Sequence, residues 1–201
     1  MTQPELFRNN RLQPISLPSS RPALAAAALA MGIGAGGAGA GPSYQLSFTM
    51  EKQSELYWCW AAVTVSVSTF YSHVAAWTQC SLASAVLGIA NCCAASTPCN
   101  QVYYLDLALS RTNNLNTAVT NPVAASDLQS ELGAGRPVGC RIGWSNQTGH
   151  FVAITGYQND GVTEQVTVDD PFYEHSQMTI DHFTNSYQND GSWTDTYYTK
   201  A

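Results

Sequence analysis

Charged side chains are scarce in this 201-residue sequence: they make up 11% of it, and none occurs between Glu55 and Asp106. Eight Lys and Arg residues against 14 Asp and Glu residues give a net charge of −6, and the cations form no cluster. A surface without clustered cations does not attract a phosphate backbone or an anionic membrane. The composition therefore argues against nucleic acid as a partner and against electrostatic binding to membranes.

Long uninterrupted apolar runs are also absent. Glycines break the Ala-rich run at residues 23–41 well short of the ~20 residues that span a bilayer, so we expect no stable membrane span. Residues 1–44 are rich first in polar residues and Pro, then in Gly and Ala, a composition that predicts no packed core. This leader is interpreted either as a cleaved signal, with Ala38-Gly39-Ala40 as the cleavage site, or as a disordered export segment or spacer. We expect a secreted or exported protein with one folded domain over residues 45–201.

The six cysteines lack the paired C-x-x-C spacing of a zinc ribbon, so we expect no metal site. One or two disulfides are expected instead among Cys80, Cys92, Cys93 and Cys99, with a connectivity that the sequence does not decide. Disulfides persist in oxidising compartments, which agrees with a secreted or exported protein.

Two kinds of periodicity divide the chain and predict an α+β fold with a cleft where its two halves meet. The first half has helical spacing, predicted in a long helix from Cys59 to Val74, in Ser81–Ala90, in Val102–Leu109, and in a helix capped by Ser126 and Gln129. The second half alternates as strands do, in Val138–Ile142, His150–Tyr157, Val162–Val168 and Trp193–Thr199.

Cys59 is the first candidate for a catalytic group, because it lies at the start of the long apolar helix. Unpaired backbone N–H groups and the positive end of the helix dipole stabilise a thiolate there and can receive an oxyanion. The side-chain amide of Gln53, six residues upstream, can donate to the same oxyanion as the Cys59 N–H. The alternative is that Cys59 is a buried cysteine that serves only as a small hydrophobic residue. A base further along the chain that could take the thiol proton would favour the catalytic role.

Four histidines are available as that base. His73 lies roughly 21 Å along the same helix at 1.5 Å per residue, which excludes it. His175 and His182 lie in a polar segment, where solvent-exposed or turn roles are typical. His150 follows Gly149 and opens an apolar strand that fixes its position, so it is the best candidate.

Four elements occur in a familiar order: Gln53, then Cys59-Trp60-Ala61, then the strand opened by Gly149-His150, then Asp170-Pro171-Phe172. From about Gln45 onward the chain resembles the papain-like cysteine peptidases, most closely the compact bacterial ones of the avirulence-effector type. The resemblance implies a papain-like fold, no cofactor, and a monomer that cleaves a protein or peptide substrate by acyl transfer.

The same resemblance implies a role for each matched residue. Cys59 would be the nucleophile, His150 the general base, and Asp170 the carboxylate that orients the imidazole. Gln53 and the Cys59 N–H would form the oxyanion hole.

Two adjacent carboxylates compete for the orienting role. Side chains alternate along a strand, so Asp170 is expected to face inward and Asp169 outward. Pro171 holds Asp170 extended, and the family pattern places its acidic residue directly before a proline. Alternation and resemblance both favour Asp170.

Two other functions remain open at this stage. A catalytic triad fixes the reaction type and not the acceptor, so a peptidoglycan amidase, a transglutaminase or a deamidase could share this scaffold. A non-catalytic binding module stapled by disulfides is the third possibility.

Overall fold

The computed structural model describes residues 41–201, so most of the predicted leader lies outside the described residues. The elements in chain order are β1 (Ser43–Gln45), α1 (Cys59–Ser72), α2 (Gln79–Leu87), α3 (Leu105–Arg111), β2 (Leu115–Val119), α4 (Ala125–Gly133), β3 (Val138–Gly143), β4 (Gly149–Asn159), β5 (Glu164–Asp170), β6 (Glu174–Thr179), α5 (Ile180–Ser186) and β7 (Ser192–Thr199). The α+β prediction is confirmed. None of the helices in this part of the chain has the length and hydropathy needed to cross a bilayer.

The described strands form one antiparallel sheet in the order β2-β7-β3-β4-β5-β6, with β1 pairing with β4. Strand β4 is central: β3 pairs along its first half, β5 along its second, and β1 with residues 156–158. Because β4 and β5 are antiparallel neighbours, His150 near the start of β4 and Asp170 at the end of β5 lie at the same end of the sheet.

Helix α1 is buried along its first ten residues, 59–68, as expected for a helix that carries no charged side chain. Its hydroxyl groups are satisfied within the helix: Thr64 Oγ1 donates to the Trp60 carbonyl at 2.8 Å, and Ser66 Oγ donates to the Ala62 carbonyl at 2.7 Å. The helix ends at Ser72 because His73 adopts a left-handed conformation with φ 57°. Burial on all sides fixes where α1 begins, and therefore where Cys59 lies.

Two hydrophobic clusters cover the two faces of the sheet. One joins α1, α2 and α3 to the sheet through Phe151 and Tyr197. The other packs α4 and α5 against the opposite face, around Val152, Ile154 and Val168. Residues 166–170 of β5 are all buried as a result.

The cysteines pair as Cys80–Cys93 and Cys92–Cys99, which confirms two disulfides in the helical half and supplies the connectivity. The adjacent residues Cys92 and Cys93 bond to different partners, as expected. The Cys80–Cys93 bond ties the segment between α2 and α3 to α2, and the Cys92–Cys99 bond closes a loop within that segment.

Several boundaries differ from the sequence prediction. The predicted cap of α4 is wrong: the N-cap is Ala124, two residues before Ser126, it makes no side-chain cap hydrogen bond, and Gln129 donates to the Tyr157 hydroxyl at 2.9 Å. Helix α3 begins at Leu105 and not at Val102: Tyr104 before it is extended, and Val102 is half exposed. Strand β1 lies across the predicted boundary between leader and domain, where it gains hydrogen bonds to β4.

Candidate active site

His150 and Asp170 form a buried hydrogen bond, with 2.9 Å between His150 Nε2 and Asp170 Oδ1. The same carboxylate oxygen accepts the backbone N–H groups of Phe172 at 2.6 Å and Tyr173 at 2.8 Å. The other oxygen accepts the Tyr187 hydroxyl at 2.7 Å. Burial alone would raise the pKa of Asp170, but the bond to His150, the charge of His150 and the further donors outweigh it and lower the pKa below its usual value. Asp170 is therefore held as a carboxylate in a fixed orientation.

Cys59 lies close enough to His150 to contribute to the raised pKa of the imidazole. Since Nε2 contacts Asp170, Nδ1 is the ring nitrogen that remains for the thiol. Burial tends to lower the pKa of His150, but the hydrogen bonds to Asp170 and Cys59, together with the charges of those two groups, raise it to about 9. The imidazole is thus favoured in its protonated form at neutral pH.

Aromatic rings fix the orientation of the imidazole. The Trp144 ring stacks on His150 with centroids 6.4 Å apart and an interplanar angle of 26°. Tyr173 approaches edge-on with a centroid distance of 6.0 Å. Neither ring was predicted to belong to the site.

Cys59 is the first residue of α1 and is 9% exposed. The N-cap residue, Trp58, makes no side-chain cap hydrogen bond. The first N–H groups of a helix have no acceptor within it, so those of Cys59, Trp60 and Ala61 point toward the thiol end of the helix without an intrahelical partner. This end suits a thiolate or an oxyanion.

Gln53 lies on the loop that precedes α1, but its side-chain amide already donates two hydrogen bonds. Its Nε2 donates to the carbonyl of Glu55 at 3.0 Å and to that of Leu56 at 2.8 Å, and its Oε1 is buried without a partner among the described residues. The backbone N–H of Gln53 donates to the carbonyl of Pro171 at 2.9 Å, which ties the loop to the chain that follows Asp170. To donate to an oxyanion, Nε2 must release one of the two carbonyls.

Asp169 does not point to solvent, as alternation had suggested; it is 7% exposed. It lies on the opposite face of β5 from Asp170, where it accepts the Thr155 hydroxyl at 2.6 Å and contacts His175 Nδ1 at 2.9 Å. Asp169 and Asp170 do lie on opposite faces of β5, as alternation predicts. Hydrophobic clusters cover both faces of the sheet, so neither face of β5 is open to solvent here. Asp169 has no bond to His150.

The remaining histidines lie away from the thiol: His73 caps the far end of α1, and His182 is exposed on α5. Sequence reasoning missed Tyr187, which is fully buried and holds the second oxygen of Asp170. Its only sequence signal is its place before the Asn189-Asp190-Gly191 turn. No group of three or more metal-binding side chains is arranged for a cation within residues 41–201.

Comparison with known proteins gives a family for this chain and a likeness in fold. Residues 42–188 match a family described as papain-like cysteine protease AvrRpt2. Digestive procathepsin L 3 of the Tenebrio molitor larval midgut matches at 13% identity with a TM-score of 0.53, over 79% of this chain and 69% of that chain. The Pseudomonas avirulence protein AvrPphB matches at 17% identity with a TM-score of 0.31, over 60% of this chain and 73% of its own.

No protein with a curated function matches the sequence. The likeness to procathepsin L shows the papain-like fold. The family match covers well over half of the chain and contains Cys59, His150 and Asp170. The chain therefore belongs to the AvrRpt2 family of papain-like cysteine proteases, which are hydrolases.

Proposed function

We propose that this protein is an endopeptidase that hydrolyses peptide bonds through a Cys59–His150–Asp170 triad and a thioester acyl-enzyme. The observation that carries the proposal is the buried His150–Asp170 hydrogen bond of 2.9 Å, with Cys59 at the N-terminus of α1 near enough to act on the imidazole. Nucleophile, base and orienting group within hydrogen-bond reach of one another are the requirement for nucleophilic catalysis.

His150 holds its proton up to about pH 9, and an imidazolium beside a helix N-terminus is the setting in which a thiolate is stabilised. The thiolate of Cys59 attacks the carbonyl carbon, and the resulting oxyanion lies near the unpaired N–H groups at the start of α1. As the C–N bond breaks, His150 gives its proton to the leaving amine. His150 then removes a proton from water, which attacks the thioester and releases the acid, and the pair is restored.

Mass spectrometry of a protein substrate tests the reaction type. Hydrolysis creates new α-carboxyl and α-amino termini, and in H₂¹⁸O the new carboxyl group takes up ¹⁸O. A transglutaminase or deamidase would release ammonia and leave the chain intact, and a peptidoglycan amidase would cleave a cell-wall fragment. Either outcome, without new termini in the protein, would overturn the endopeptidase proposal.

We also propose that the protein acts after export from the cell that makes it. The Cys80–Cys93 and Cys92–Cys99 disulfides support this, since such bonds persist outside the reducing cytosol. The leader predicted for residues 1–44 would provide the export segment. A single polypeptide chain is proposed to suffice for catalysis, with a protein or peptide as its partner.

Turnover is expected to fall as the pH rises through about 9, because deprotonated His150 cannot donate to the leaving amine.

Iodoacetamide should alkylate Cys59 at about pH 6 faster than it alkylates a free cysteine peptide, since the ion pair supplies a thiolate there. The kcat/KM profile and the alkylation rate measure the two effects. Equal alkylation rates for protein and peptide would disprove the ion pair.

Stability should follow the same titration. The pKa of His150 rises from 6.5 to about 9 on folding, so protonation of His150 stabilises the fold fully below about pH 6.5. That contribution is lost as the pH rises through about 9.

Gln53→Ala is expected to lower kcat by about 10²–10³, the usual loss for one oxyanion donor. Folding and alkylation of Cys59 should stay close to wild type if the amide acts on the oxyanion. If its role is instead to hold the Glu55 and Leu56 carbonyls, the alkylation rate and the melting temperature will fall together with kcat. Unchanged turnover would make Gln53 an ordinary loop residue.

A further inference from the structure

Residues 99–101, here called the clamp segment, hold the chain on both sides of Cys59. The segment begins at the last residue of a short 3-10 turn, Thr97–Cys99, and precedes α3. It accepts three hydrogen bonds: Tyr57 N–H to Asn100 Oδ1 (3.0 Å), Trp58 Nε1–H to the Cys99 carbonyl (2.7 Å), and Trp60 Nε1–H to the Gln101 carbonyl (3.0 Å).

The two indoles anchor the start of α1. Trp58 and Trp60 are 1% and 0% exposed, and they flank Cys59 directly in sequence. The N-cap of α1 makes no side-chain cap bond, and the two indole bonds hold the start of the helix against the clamp segment while leaving its first N–H groups without an intrahelical partner. The position of the clamp segment therefore sets the position of the Cys59 backbone.

The clamp segment is itself held by the Cys92–Cys99 disulfide, both residues of which are buried. The Cys92 N–H donates to Ser84 Oγ of α2 at 3.1 Å. Covalent and hydrogen bonds thus connect α2 to Cys92, Cys99 and the Trp58 indole, which adjoins Cys59.

We propose that the Cys92–Cys99 disulfide and Asn100 are positioning elements for Cys59, so that turnover depends on this disulfide beyond its effect on stability. The inference rests on the proposed function, because the position of Cys59 matters to turnover only if Cys59 is the nucleophile. A misplacement of about 1 Å in a reacting group can cost about 10²-fold in rate. The enzyme then reaches its full rate where Cys92–Cys99 stays oxidised while Cys59 remains a free thiol.

The chain contains a matched control, the Cys80–Cys93 disulfide. It closes the longer loop, with a sequence separation of 13 against 7 for Cys92–Cys99, so its removal frees at least as much of the unfolded chain. None of the described hydrogen bonds joins Cys80 or Cys93 to residues 57–60. By loop closure alone, loss of Cys80–Cys93 would destabilise the fold at least as much as loss of Cys92–Cys99, so the comparison is made on kcat with each variant fully folded.

The first test compares Cys92→Ala/Cys99→Ala with Cys80→Ala/Cys93→Ala, each assayed well below its melting temperature. Loss of the buried bond should lower kcat about 10- to 100-fold with KM within about twofold, because positioning and not substrate binding is disturbed. Loss of Cys80–Cys93 should leave kcat within about threefold of wild type. Equal losses in the two variants, or none in either, would overturn the proposal.

The second test keeps both disulfides and so does not depend on whether the first variant folds. Asn100→Ala removes the acceptor of the Tyr57 N–H and should lower kcat about tenfold, whereas Asn100→Asp keeps an acceptor oxygen and should stay close to wild type. Equal kcat values for these two variants would contradict the positioning role. Cys59→Ala separates the two failures: if it stays active, the proposed function fails, and if it is inactive while the Asn100 and disulfide variants are fully active, only the clamp proposal fails.

Discussion

Replacing Cys59 by Ala is expected to lower kcat by about 10⁶, the scale of loss when the nucleophile of a catalytic triad is removed. Without Sγ no thioester can form, and His150 has only water to activate. Substrate should still bind, so KM should change much less than kcat. The side chain is small and 9% exposed, and the fold should therefore survive the change. Cleavage of a protein substrate, followed by mass spectrometry, measures the loss.

Cys140 is the matched control, since it is the other cysteine outside the disulfides. It is fully buried on β3, where burial holds the pKa of its thiol well above the usual value. Cys140→Ala should therefore keep kcat within a few-fold of wild type and lower the melting temperature through lost packing. Peptide mapping after iodoacetamide should find Cys59 modified and Cys140 unmodified. Retained activity in Cys59→Ala would remove the proposed mechanism.

The three positions of the proposed triad each carry a local signal in the sequence. Cys59 begins a helix whose stripe of apolar residues is readable without any structure, and His150 opens an apolar strand directly after a glycine. Asp170 was distinguished from Asp169 by alternation and by Pro171. Antiparallel pairing of β4 with β5 then brings His150 and Asp170 together.

The groups that support the triad were not predictable, because their partners are distant in sequence. Tyr187 reaches Asp170 only after α5 has crossed the sheet, and the clamp segment reaches residues 57–60 across 41 to 43 positions. The orientation of the Gln53 amide depends on two local carbonyls whose direction the sequence does not specify. Burial of Asp169 follows from packing on both faces of the sheet, whereas alternation says only which face a residue occupies.

The second large effect is expected for Asp170→Asn, with a loss of turnover of up to about 10⁴, as for the corresponding change in a serine-protease triad. The amide oxygen can still accept from His150, but the negative charge that raises the pKa of His150 is gone. The new NH₂ group takes the place of the oxygen that accepts the Tyr187 hydroxyl, so the tyrosine must turn from donor to acceptor. If the amide turns its NH₂ group to His150 instead, the imidazole is held in the wrong tautomer.

Asp169→Asn is the matched control, since it makes the same chemical change one residue away on the opposite face of β5. It disturbs the Thr155 and His175 contacts and should lower the melting temperature, with turnover within about tenfold of wild type. The pH profile distinguishes a catalytic effect from a structural one: without the charge of Asp170 the alkaline limit should move from about 9 toward 6.5, while Asp169→Asn should leave it in place. A severe loss for Asp169→Asn, with Asp170→Asn near wild type, would transfer the orienting role to Asp169.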